Sequence, residues 1–116
     1  MNVQERFPDV TDELLAGFSP YIASIVLDLP TNSIEFHLLD RVESPTALRV
    51  LRFERLQSLE ITPHNPDDID PLFMDSIIGA QRQDMAFYFH TERFAISFRC
   101  AVLGESTASI CDKIGA

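Results

Sequence analysis

MAFYFHTERFAISFRCAVL, residues 85–103, is the stretch of the sequence that decides the fold. A period of two is the signature of a β-strand with one buried face. The polar break at residues 90–93 allows the two halves to pair as a hairpin. The hairpin is predicted to form a wall of the core, with five large side chains buried on one face: Phe87, Phe89, Phe94, Ile96 and Phe98.

The length and composition predict one ordinary globular domain spanning residues 1–116. Of the 116 residues, 46% are hydrophobic and 23% are charged, which is typical of folded soluble proteins and not of disordered ones. No apolar run approaches the ~20 residues of a membrane span. The first fifteen residues, MNVQERFPDVTDELL, are too acidic and polar for a secretory signal. We therefore expect a cytoplasmic protein without membrane association, with loosely packed or flexible ends at residues 1–19 and 104–116.

The charge balance restricts the classes of partner. The chain has 18 acidic residues against 9 basic ones, a net charge of -9. A nucleic-acid binder needs a basic face toward the phosphates, so this composition argues against one. An acidic surface keeps a protein dispersed and also steers basic protein partners toward it.

The remaining strand patterns are shorter. Residues 21–28 and 33–41 predict a strand pair whose turn contains Pro30 and Asn32. Residues 46–62 favour two short strands with a bulge or turn at 54–58, although Ser44-Pro45 also suits the start of a helix. Residues 76–82 predict a further strand, with Gly79 at a bulge or close contact. A short helix ending at Gly17 is predicted near the start.

These elements predict a mainly β protein with six or seven antiparallel strands and little helix. Strands that follow one another are expected to pair as neighbours, in a curled sheet, a sandwich or an open barrel. An α+β arrangement is the alternative if residues 46–58 are helical. Residues 104–116 suit a weak helix or a disordered tail. If the strand at residues 94–103 lies at a sheet edge, its open backbone groups predict a symmetric homodimer.

The sequence offers little support for catalysis or metal binding. The three histidines, His37, His64 and His90, show no ligand spacing, and the two cysteines form no CxxC motif. We therefore predict no catalytic residues, no cofactor and no metal. A weak candidate for a calcium site is the loop with Asp67, Asp68 and Asp70, which also suits a solvated turn with a helix cap at Asp70-Pro71. Solvated strand faces and turns account for four other carboxylates: Asp28, Glu35, Asp40 and Glu43.

The polar register of the main hairpin is the candidate binding surface. Its side chains are those of Tyr88, His90, Ser97 and Arg99. Tyr and Arg are enriched in interaction hot spots, and a strand presents them rigidly. The simpler interpretation is an ordinary amphipathic sheet surface. Three further arginines, Arg49, Arg52 and Arg55, are predicted to be partners for nearby carboxylates.

Three segments together, YIASIVLDLPTNSIEFHLL, LRFERLQSLEI and MAFYFHTERFAISFRCAVL, resemble the strand layout of small bacterial β-rich proteins. These include immunity proteins of toxin systems, such as immunity protein family 50, and proteins of unknown function. The resemblance covers most of residues 20–103 and implies a non-enzymatic protein that binds a cognate toxin.

The function predicted first is therefore a small acidic protein-binding module, of the kind that inhibits a basic toxin. A small ligand-binding barrel or enzyme with a site between curled sheets is the alternative. The chain is also similar in size and low pI to the acidic chaperones of type III secretion, which bind client proteins. Those chaperones have long flanking helices that this sequence does not obviously contain.

Overall fold

The computed structural model describes residues 8–65 and 75–109. These residues form one short helix and eight strands. The helix, α1, covers Thr11–Leu15, and the strands are β1 Ile22–Asp28, β2 Ser33–Leu39, β3 Ala47–Glu54, β4 Gln57–Pro63, β5 Ile77–Gln83, β6 Ala86–Thr91, β7 Phe94–Arg99 and β8 Val102–Ser109. No helix in the described part of the chain is long and apolar enough to cross a membrane.

The strands form two four-stranded antiparallel sheets. Sheet 1 has the order β1-β2-β3-β8, and sheet 2 has the order β4-β7-β6-β5. The prediction of a mainly antiparallel β protein with little helix is confirmed. The strand number is eight instead of six or seven, and within the described ranges the sheets remain separate and form no closed barrel. The two-strand interpretation of residues 46–62 is also confirmed. The helix that the α+β alternative required at residues 46–58 is not formed.

Strand order departs from the prediction that successive strands pair. The chain leaves sheet 1 at residues 55–56 and returns to it at residues 100–101, so β4 pairs with β7 and β8 pairs with β3. Arg55 lies in the first crossing with a φ of 58°, a left-handed conformation typical of a tight reversal. Neighbour pairing fails at these strands because each crossing places the next strand in the other sheet, and because β5, which follows β4, lies at the opposite edge of sheet 2.

The hairpin of β6 and β7 supplies the core side of sheet 2. Phe87 pairs across the strands with Phe98, and Phe89 pairs with Ile96. These four side chains are buried as predicted, whereas Phe94 is half-buried. From sheet 1, the Phe36 ring stacks on Phe89 at a centroid distance of 4.6 Å. A second ring of sheet 1, Phe53, lies 4.9 Å from both Phe87 and Phe98. The two sheets therefore pack face to face through aromatic rings.

The structure of the segment after Phe98 differs from two predictions. Strand β7 ends at Arg99 and lies between β4 and β6, so residues 94–99 are not the sheet edge on which the homodimer prediction depends. The remaining residues of the predicted strand 94–103 include Val102 and Leu103, which belong to β8 at an edge of sheet 1. Residues 104–109 belong to strand β8, which begins at Val102, whereas the sequence predicted a weak helix or a disordered tail from residue 104 onward. Most of β8 is exposed, and it is held by pairing along the whole of β3. The apolar alternation that marks other strands is missing because β8 buries little.

A buried arginine fastens the helix and β8 to sheet 1. Arg49 lies on the inner face of β3 and is only 8% exposed. Its Nε donates to the carbonyl oxygen of Leu14 at 2.6 Å, and its guanidinium pairs with Glu105 on β8. Burial lowers the pKa of Arg49. Arg49 therefore satisfies a carbonyl in the last turn of α1. Arg49 and Arg52 pair with carboxylates as predicted, whereas Arg55, the third arginine of that prediction, forms no ion pair with another described residue.

A buried carboxylate fastens the turn between β6 and β7. Asp75 is 9% exposed and accepts hydrogen bonds at 2.8 Å from the Thr91 hydroxyl and from the backbone N–H of Ser76. The Asp75 carbonyl accepts a bond from the Ile22 N–H at 2.9 Å, which joins sheet 2 to β1. Asp75 thus ties together three segments that are distant in sequence.

We expect Phe98→Ala to lower the free energy of unfolding by about 3–5 kcal/mol, because it removes a buried ring and leaves a cavity between the sheets. The measurement is chemical denaturation followed by circular dichroism. Ile78→Ala is the matched control, since Ile78 lies in sheet 2 but is 59% exposed, and its effect should stay within about 1 kcal/mol. Equal midpoints for Phe98→Ala and the wild type would contradict the observed packing.

We expect Asp75→Ala to cost about 2–4 kcal/mol of stability, because the Ser76 N–H and the Thr91 hydroxyl lose their acceptor inside the protein. Glu60→Ala, an exposed acidic position on β4, should change stability by no more than about 0.5 kcal/mol. Thermal unfolding of both variants under one buffer condition makes the comparison. Similar losses for the two variants would show that the Asp75 contacts contribute nothing specific.

Candidate functional site

The outer face of sheet 2 collects the four residues singled out from the hairpin. Because Phe87 and Phe89 point into the core, Tyr88 and His90 on the same strand point outward. Ser97 and Arg99 alternate in the same way with the buried side chains of β7. The structure thus places the four predicted residues on one face, while their role in binding stays a prediction.

Cross-strand pairing sets the spacing of these side chains. Tyr88 lies directly opposite Ser97, and His90 lies opposite Ala95. On the other side of β6, His90 lies opposite Gly79. Directly opposed side chains have Cβ atoms roughly 4.5–5.5 Å apart. Tyr88 and Ser97 are therefore immediate neighbours, and His90 is flanked by two positions with little or no side chain.

The residues opposite His90 on the two neighbouring strands, Gly79 and Ala95, are small and leave space around its ring. A Cβ added to Gly79 would meet no atom within 4 Å, so the space beside His90 on β5 is open. Gly79 also lies at a register shift between β5 and β6, which agrees with the bulge predicted at this residue. Arg99 is exposed at the far end of β7, opposite Ala86. A partner would meet the ring of Tyr88, the imidazole of His90 and the guanidinium of Arg99, with the polar side chains of Gln57, Glu60 and Gln81 beside them on the neighbouring strands.

A second histidine reaches this face from the end of β4. The rings of His64 and His90 have centroids 4.8 Å apart and planes inclined at 68°. The backbone N–H of His64 donates to the Arg93 carbonyl at 2.9 Å, and its ring Nε2 lies 3.0 Å from the Thr91 carbonyl oxygen. Sequence reasoning missed this pair, because only the pairing of β4 with β7 carries residue 64 to the hairpin.

The outer face of sheet 1 carries a cluster of paired charges. Arg52 pairs with Glu35 and also binds Glu54, with its Nε 2.8 Å from the carboxylate oxygen. His37 Nε2 lies 2.8 Å from the other oxygen of Glu35. The hydrogen bond from His37, with further contributions from Arg52, lowers the pKa of Glu35. These groups are paired with one another, so this face offers a partner fewer unpaired charges.

The remaining sequence candidates do not converge. Asp40 binds Thr46, and Glu35 binds groups on its own sheet, so the candidate carboxylates do not act as a pair. The candidate calcium ligands Asp67, Asp68 and Asp70 lie outside the described residues. Cys100 is buried, and burial raises the pKa of its thiol. In residues 8–65 and 75–109, no group of three or more His, Cys, Asp or Glu side chains is arranged to hold a metal.

Comparisons with known proteins add no relative to this geometry. A scan against protein-family models, a search of curated proteins and a search of solved structures each returned no match to the chain.

We expect Thr46→Val to raise the pKa of Asp40. The Thr46 hydroxyl and then neighbouring backbone N–H groups lower this pKa from 3.8 to about 2. A lowered pKa in the folded state stabilises the protein above the ordinary value, and this contribution is lost as pH falls toward about 2. An NMR carboxyl titration measures the change directly. Thr62→Val on exposed β4 is the control, and an Asp40 pKa near 3.8 in the unmodified protein would contradict the contact.

Proposed function

We propose that this chain is a small protein-binding module that contacts its partner through the outer face of sheet 2. The observation that carries the proposal is the grouping of Tyr88, His90 and Arg99 on one face of two inner strands. Tyr and Arg dominate measured interface hot spots because they combine a large contact area with directed hydrogen bonds. In this grouping, Tyr88 is the expected anchor and Arg99 lies toward the rim.

Rigidity of the backbone supports this assignment. Strands β6 and β7 are the two inner strands of sheet 2, and their opposite faces are packed in the aromatic core. Side chains on such a scaffold lose little freedom on binding, and this lowers the entropic cost of association. Sheet 1 is less suited to the role, because its outer face is occupied by the Glu35, Arg52 and Glu54 pairs.

Charge indicates the kind of partner. A net charge of -9 favours rapid encounter with a basic protein, since complementary potentials raise association rates. In its more specific form, the proposal is an immunity-type inhibitor that covers a basic toxin. Its support is the acidic charge and the resemblance of the predicted strand layout to that of such proteins.

Two other functions have less support. A ligand-binding or enzymatic site between the sheets would have to lie away from their centre, where rings of Phe36, Phe53 and Phe89 are in contact. A secretion-chaperone role would need long flanking helices. Among the described residues the helical content is α1 alone, a helix of five residues.

We expect Tyr88→Ala to weaken partner binding by about 2 kcal/mol, the threshold of a hot spot, which is roughly thirtyfold in affinity. Affinity capture from native lysate with the wild-type protein identifies the partner, and calorimetry then measures both affinities. Val26→Ala is the matched control, because Val26 is 41% exposed and lies on the outer face of sheet 1.

Two outcomes would contradict the proposal. One is the absence of any specific captured protein, and the other is a captured partner that binds Tyr88→Ala as tightly as wild type. For the toxin form, co-expression of the captured protein should arrest growth, and the wild-type chain should relieve the arrest better than Tyr88→Ala. If the captured protein is not toxic, the proposal of a protein-binding module stands and its toxin form is wrong.

A further inference from the structure

The contact between His64 and His90 has a feature that simple ring packing does not require. A carbonyl oxygen can only accept a hydrogen bond, so the 3.0 Å contact with the Thr91 oxygen places the proton of His64 on Nε2. In the neutral ring, Nδ1 then carries the free lone pair. Metal-binding histidines are held in this way, with the second ring nitrogen donating to a backbone carbonyl or carboxylate.

The separation of the two rings fits coordination of one ion. With metal–nitrogen bonds of about 2.0–2.1 Å and a tetrahedral angle, two imidazoles on one zinc ion have centroids roughly 5 Å apart. The observed distance is 4.8 Å. Two backbone anchors, the Arg93 and Thr91 carbonyls, hold His64 on this side of the hairpin. Ala95 lies opposite His90 on β7, the strand between the two histidines, and its small side chain leaves room for an ion and its water molecules.

We propose that His64 and His90 form a surface site for a divalent transition-metal ion of the zinc type. Two imidazole nitrogens come from the protein, and water occupies the remaining positions, since the described residues provide no third ligand there. Imidazole suits Zn²⁺, Ni²⁺ and Cu²⁺, whereas Ca²⁺ prefers oxygen ligands. The open positions distinguish this site from a closed structural zinc site.

Calorimetric titration of the tag-free protein with Zn²⁺ tests the site. Wild type should bind one ion, and His64→Gln and His90→Gln should each weaken binding by at least about tenfold, because loss of a mere second-shell partner already costs that much. His37→Gln is the matched control, since His37 lies on the outer face of sheet 1, and it should bind as wild type.

A second measurement locates the ion without relying on variants. Substoichiometric Cu²⁺ should broaden the amide NMR signals of Gly79, His90 and Ala95 and leave those of β8 sharp. Unchanged Zn²⁺ affinity in both glutamine variants, or broadening centred elsewhere, would overturn the proposal, and so would heats of Ca²⁺ binding equal to those of Zn²⁺. Protein capture by the Tyr88 face does not depend on this result, so the two proposals fail independently.

Discussion

The structure depends on one contact, the packing of Phe36 and Phe53 from sheet 1 against Phe87, Phe89 and Phe98 from sheet 2. The rings approach to centroid distances of 4.6–5.7 Å in stacked and edge-on arrangements, which are the favourable geometries for aromatic pairs. Neither sheet could bury its apolar face alone. Each sheet is therefore stable only when it is packed against the other. The chain also crosses between the sheets twice, so sheet 1 is built from two separate segments of the chain.

Buried polar groups hold the helix and the outer strands against this core. Asp75 connects the start of β5, the turn after β6 and the start of β1. Arg49 connects α1 with β3 and β8. A buried charge is costly to desolvate, so such contacts are weak evidence of added stability. What they provide is register, because a shifted strand would leave a charge without its partner inside the protein.

The faces of the two sheets differ in how much of their surface is available for binding. The inner faces are filled by packing, and the outer face of sheet 1 carries charges that are paired with one another. The outer face of sheet 2 presents Tyr88, His90 and Arg99 on a rigid backbone. It therefore supports both the proposed protein interface and the proposed metal site, which share His90 and otherwise use different residues.

The sequence by itself determined the elements with a strong local signal. Alternation of period two predicted the β6–β7 hairpin and its buried register, and Pro30 with Asn32 predicted the turn after β1, where Asn32 has a φ of 50°. The same register grouped Tyr88, His90, Ser97 and Arg99. Only the tertiary structure decided the sheet to which β4 and β8 belong, the inward placement of Arg49 and the meeting of His64 with His90. Those features depend on pairing between segments distant in the chain, which local periodicity does not encode. The strand VLGESTAS shows this most plainly, because β3 and not its own side chains makes it a strand.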